Sequence, residues 1–144
     1  MPRPGRLLYA LVLAVAFPSP AAAEELLLLE PVDTSRDRSV PLKVYLPESV
    51  DPAPVVLYSH GLGGSREAGT YLGKHWAGQG YVSVHMQHAG SDSAIRQAGR
   101  GGQRIAALMS AVSPEAARAR YTDVPFIIDQ LERWNAEPDH PLGG

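Results

Sequence analysis

Two short stretches of apolar or alternating residues, 26–32 and 40–46, flank the polar segment 33–39 with its Asp, Ser and Arg side chains. Turn-forming residues between two such runs predict a β-hairpin. Residues 55–59 are apolar on both faces, as in a strand covered by helices on each side. Beyond them Ala68, Leu72 and Trp76 recur at every fourth position, Ser65 stands where a cap would, and Gly78 and Gly80 follow. A helix ending at those glycines is expected. Residues 81–87 alternate, with Val82, Val84 and Met86 on one face and Tyr81, Ser83 and His85 on the other. Strand, helix, strand in that order reads as a βαβ unit, so strands 55–59 and 81–87 should run parallel.

From 89 to 103 the chain turns polar and glycine-rich, without periodicity, and a long surface loop is expected there. Ser113-Pro114-Glu115 is a strong helix start: a cap, a proline at the first helical position and an acid in the first turn. A second start at Thr122 should lead into Val124, Ile127, Ile128, Leu131 and Trp134, spaced three and four apart as one buried stripe. Residues 137–144 read as a proline and glycine loop.

The first 23 residues stand apart from this pattern. Arg3 and Arg6 precede an apolar stretch over 7–17, then Pro18, Pro20 and Ala21-Ala22-Ala23, which is the layout of a secretory signal peptide cleaved near Ala23. The stretch is shorter than the ~20 residues a membrane-spanning helix needs. No stable membrane span is therefore expected, and the mature product should be exported, to a periplasm or outside the cell. The chain has no cysteine, so neither a lipid-attachment site nor a disulfide is available. Its formal net charge is −2, and losing Arg3 and Arg6 makes the mature part more acidic, which gives no reason to expect nucleic acid as a partner.

Candidate chemistry gathers in two loops. In sheets with parallel strands, ligands bind beyond the carboxyl ends of the strands. Both His60-Gly61-Leu62-Gly63-Gly64 and the segment His88, Ala89, Gly90, Ser91, Asp92, Ser93 fall there, so one shared cleft is expected. Glycines at 61, 63 and 64 allow a sharp turn and a close approach of backbone N–H groups to a ligand, and acyl transfer needs such donors about 2.7–3.1 Å from the developing oxyanion. The side chains have quieter readings. His60 is expected to bond the loop backbone; Ser91, Asp92 and Ser93 to satisfy turn N–H groups, with a cleft lining as the alternative. His85 and His88, three apart on a strand, should face opposite ways and so not share a metal. Asp92 lacks the histidine a catalytic acid would need. His75, Trp76 and Trp134 suit packing, Ser65 a cap, and Arg120 and Asp123 a structural pair.

The run PVVLYSHGLGG (54–64), the helix up to Gly80, the strand and loop GYVSVHMQHAGSDS (80–93) and the later RYTDVPFIIDQL (120–131) together resemble the amino-terminal half of α/β-hydrolases related to predicted dienelactone hydrolases and platelet-activating-factor acetylhydrolases. The resemblance covers about residues 40–144. It implies an α/β-hydrolase fold, a mostly parallel sheet flanked by helices, of which residues 24–144 form the amino-terminal part of a single domain with the first four strands. It also implies a serine hydrolase of carboxylic esters, acting through an acyl-enzyme on a small ester or lipid-like substrate, with no cofactor and no metal. The backbone N–H of Leu62 would be one oxyanion donor. No G-x-S-x-G occurs in the chain. The resemblance places the nucleophile in such an elbow after Pro141-Leu142-Gly143-Gly144, with acid and histidine later still. The chain alone is then expected to be inactive, poorly soluble or molten, with strand 55–59 exposing an apolar edge. The competing reading is a non-catalytic, truncated or degenerate hydrolase domain that binds a ligand or partner.

Overall fold

The computed structural model describes residues 26–48 and 52–143. The expected signal peptide lies outside the described residues. A four-stranded sheet is built from β1 (Leu26–Leu29), β4 (Leu42–Tyr45), β5 (Val55–Ser59) and β6 (Val82–Met86), in the spatial order β1-β4-β6-β5. β1 runs antiparallel to β4 in the register Leu26↔Tyr45, as the hairpin pattern requires. The turn between them is itself a small ribbon, β2 (Val32–Asp33) against β3 (Arg38–Ser39). It is tied by the Asp33 carboxylate, which accepts from the Ser35 and Arg36 side chains.

β5 and β6 pair in parallel, Val55↔Val82 to Ser59↔Met86, as the βαβ reading expects. β4 and β6 are antiparallel, so the sheet is mixed, not mostly parallel: within the described residues only one of its strand pairs is parallel. β4 and β6 are the interior strands of the described sheet, and β1 and β5 are at its edges. The core lies on the sheet's inner face, where Val40, Leu42, Val44, Val84, Met86 and Ile127 are buried together.

Helix α1 (Thr70–Gly78) starts four residues later than expected, its cap at Gly69 instead of Ser65. The Ser65 hydroxyl accepts from the Glu67 N–H in a turn of its own, and left-handed Gly69 (φ 72°) sets the helix start. His75, expected to pack, is exposed. The segment expected to be a loop contains α2 (Ala94–Gln97) and runs into α3 (Gly102–Ala111).

Helix α4 (Pro114–Asn135) begins as the sequence requires, with the Ser113 hydroxyl accepting from the Ala116 N–H at 3.1 Å. It does not restart at Thr122. That hydroxyl donates back to the carbonyls of Arg118 and Ala119, so the residue serves the helix interior instead of capping a new one. Pro125 lies inside α4 and cannot donate to the Tyr121 carbonyl. The stripe is also shifted: Ile128 is exposed and Asp123, one turn before Ile127, is fully buried.

Candidate active site

Both candidate loops leave the carboxyl ends of the parallel pair and are laced to each other. The Gly63 N–H donates to the Ser91 carbonyl at 2.9 Å, and Gly64 and Asp92 form a parallel bridge beyond the strands. The His88 N–H donates to His60 Nε2 at 3.1 Å. That contact fixes the tautomer: the His60 proton is on Nδ1 and is donated to the Gly61 carbonyl at 2.7 Å. Burial lowers the His60 pKa from its ordinary 6.5, which favours the neutral ring this geometry needs. His60 thus bonds backbone with both nitrogens, and it serves as a loop-building residue.

The glycines differ in what they contribute. Gly63 is left-handed (φ 73°). At Gly64 a Cβ would meet His60 Cβ at 2.9 Å and the Gly61 carbonyl at 3.0 Å, where the turn closes through Gly64 N–H to Gly61 C=O. At Gly61 a Cβ would project into open space, so its smallness leaves room above the loop without being needed by the turn. Between them, the Leu62 N–H has no acceptor among the described residues, and the residue is half exposed.

Gly90, also left-handed (φ 86°), lets the second loop turn, and Asp92 secures it. The Asp92 carboxylate accepts from the Ala94 N–H and from the Gln87 side chain, a turn-building role. Ser91 goes beyond the local role expected of it, because its hydroxyl accepts from Arg120 at 2.8 Å. His85 and His88 do face opposite ways. His85 donates Nδ1–H to the Ala68 carbonyl and packs against the rings of Tyr45 and Tyr58, while its buried Nε2 has no partner among the described residues. Among the described residues no three potential ligands converge on a metal position.

Arg120 and Asp123 do not act as the expected pair. Asp123, fully buried, receives Arg38 through two nitrogens (2.7 and 2.8 Å), Arg36 at 2.9 Å and His88 Nδ1 at 2.8 Å. Burial alone would raise its pKa; the hydrogen bonds from His88, Arg38 and Arg36 outweigh that and hold the carboxyl far below its ordinary 3.8. Arg38 also donates to the Ala89 carbonyl, so the cluster fixes the second loop from beneath.

The cluster closes a chain that sequence reading missed, Ser59 Oγ to His88 Nε2 at 3.0 Å and His88 Nδ1 to Asp123. Nucleophile, base and orienting acid are recognised by such distances. Charge balance separates this chain from a working triad. The acid of a triad orients the histidine and stabilises the charge it acquires, whereas Asp123 is already matched: Asp33 and Asp123 face Arg36 and Arg38, two charges against two. The chain reads as a brace between β5, the second loop and α4.

An apolar groove of about 680 Å³, lined by Leu46, Val55, Leu57, Val82, Ile128 and Leu131 among others, lies beside the first half of β5, away from these loops. No described helix is long and apolar enough to cross a membrane.

A mixed sheet flanked by helices, with two glycine-bearing loops bound together at the carboxyl ends of a parallel pair, is the layout of an α/β domain. Residues 32–100, just under half of the chain, match the family model for platelet-activating factor acetylhydrolase, isoform II. The match supports a hydrolase family of the lipase and esterase type, and covers both loops. No curated protein and no solved structure matches the chain.

Proposed function

We propose that this chain supplies the oxyanion-binding portion of an exported serine hydrolase that cleaves carboxylic esters of small, lipid-like molecules through an acyl-enzyme. The observation that carries the reading is the Leu62 amide. Its neighbours Gly63 and Gly64 donate to carbonyls and the His60 ring braces the turn, yet among the described residues the Leu62 N–H is left without an acceptor, at the edge where ligands of such sheets bind. A donor held ready in this way costs no reorganisation when negative charge develops on a substrate oxygen. The family match over residues 32–100 supplies the ester chemistry. The nucleophile is assigned to a G-x-S-x-G elbow beyond Gly144, followed by its acid and histidine, and the secretory layout of residues 1–23 assigns the export.

The alternative reading is a non-catalytic domain of the same descent that binds a small ligand. The natural mature protein separates the two on a short-chain p-nitrophenyl ester. Turnover that falls about 10²–10³-fold in Leu62→Pro, which lacks the amide proton, and survives in Leu62→Ala supports the hydrolase. A cooperatively melting wild type without turnover supports the binding domain.

A further inference from the structure

We propose that Arg120 is a positioning residue, a clamp from α4 that holds the two loops in the one arrangement that leaves the Leu62 amide open. Its guanidinium donates to the His60 carbonyl at 2.6 Å and to the Ser91 hydroxyl at 2.8 Å, one contact on each loop. The first fixes the peptide group between His60 and Gly61, immediately before Leu62. The second fixes Ser91, whose own carbonyl accepts the Gly63 N–H immediately after Leu62. The amide in question is thus flanked on both sides by groups that answer to a single side chain. A rigid planar fork suits a bridge between two separate acceptors better than a lysine ammonium does.

The guanidinium meets neutral acceptors here. Among the described residues no carboxylate lies within ion-pair distance of it, unlike Arg36 and Arg38, which share Asp123. After burial, its charge is one of the influences that disfavour a charged His60 ring, with the Asp92 carboxylate acting in the opposite direction. The same positive charge would favour an oxyanion at the loop. This inference rests on the proposed reading of His60 to Gly64 as an oxyanion loop, but the clamp itself can be judged without it.

The test compares wild type with Arg120→Met and Arg120→Lys in the natural mature protein. Amide hydrogen exchange at Gly63, read by NMR, is expected to accelerate at least ~10-fold in Arg120→Met while Val84, in the centre of the sheet, stays unchanged. On a p-nitrophenyl ester, kcat is expected to fall on the order of 100-fold with KM nearly unmoved. Millimolar guanidinium should restore part of the loss in Arg120→Met. Unchanged exchange at Gly63 overturns the clamp, as does a kcat within about twofold of wild type. If Arg120→Met does not melt cooperatively, the Gly63 exchange ratio in Arg120→Lys decides in its place. A folded wild type without ester turnover removes the proposed function, while the exchange comparison still rules on Arg120.

Discussion

Asp123 sits at zero exposure because three donor side chains converge on it, and its ionised state is a condition of the fold. Removing one member of a buried, paired set leaves the others unmatched, so Asp123→Asn should destabilise by about 3–5 kcal/mol in a denaturant titration. The pH dependence follows from direction. His60 and His85 are both held below 6.5 by burial, so each contributes stability above that value which is lost as pH falls through its folded pKa. Asp123 is held below 3.8 and adds a further loss as pH falls below that point. The melting temperature should therefore be level in mildly alkaline buffer, begin to fall below about pH 6.5 and fall again below about pH 3.8. A melting temperature that rises on acidification from pH 7 to 5 would contradict both histidine assignments. Glycine identity is equally testable: Gly63→Ala, at φ 73°, should cost roughly 1–2 kcal/mol, whereas Gly61→Ala, facing open space, should leave the melting temperature almost unchanged.

At the scale of elements, α4 is what brings the site together. It presents Arg120 to both loops, Asp123 to the arginine cluster and Ile127 to the sheet core, on successive turns. Ile127→Ala should cost about 2–5 kcal/mol and Ile128→Ala under about 1, and equal costs would mean the helix is rotated from the face described. The start of α4 was legible because a cap, a proline and an acid stand in consecutive places. Its continuity through Thr122 was not, since a threonine that bonds back to its own helix looks in sequence like a new cap. The helix α3 was hidden by Gly99, Gly101 and Gly102, and its apolar Ile105 and Met109 are exposed, so burial left no periodic trace. The two loops could be read from strand pattern followed by glycine. Arg36, Arg38 and Asp123 could not be placed beside them, because their contacts join residues 85 to 87 positions apart. Those partners are chosen by the fold, and no local spacing records them.

At the scale of the whole molecule, the sheet ends on a strand built for burial. β5 pairs only with β6 among the described residues, Val55 at its start is 48% exposed, and the groove beside it is apolar. An unpaired apolar edge of this kind promotes self-association. Residues 24–144 expressed alone should therefore sediment as aggregates, and Val55→Lys should reduce that association without lowering the melting temperature. A monodisperse monomer at high concentration would show that the edge is covered.

In the proposed reading this chain holds the oxyanion for a nucleophilic serine outside it. Treating the natural mature protein with a fluorophosphonate ester and mapping the modified peptide locates that serine. The predicted result is a single phosphonylated serine within a G-x-S-x-G elbow beyond Gly144, with Ser59 unmodified. An adduct on Ser59 would contradict the charge-balance argument and make the Ser59, His88 and Asp123 chain the catalytic one, and a folded protein that takes up no label would remove the serine hydrolase altogether.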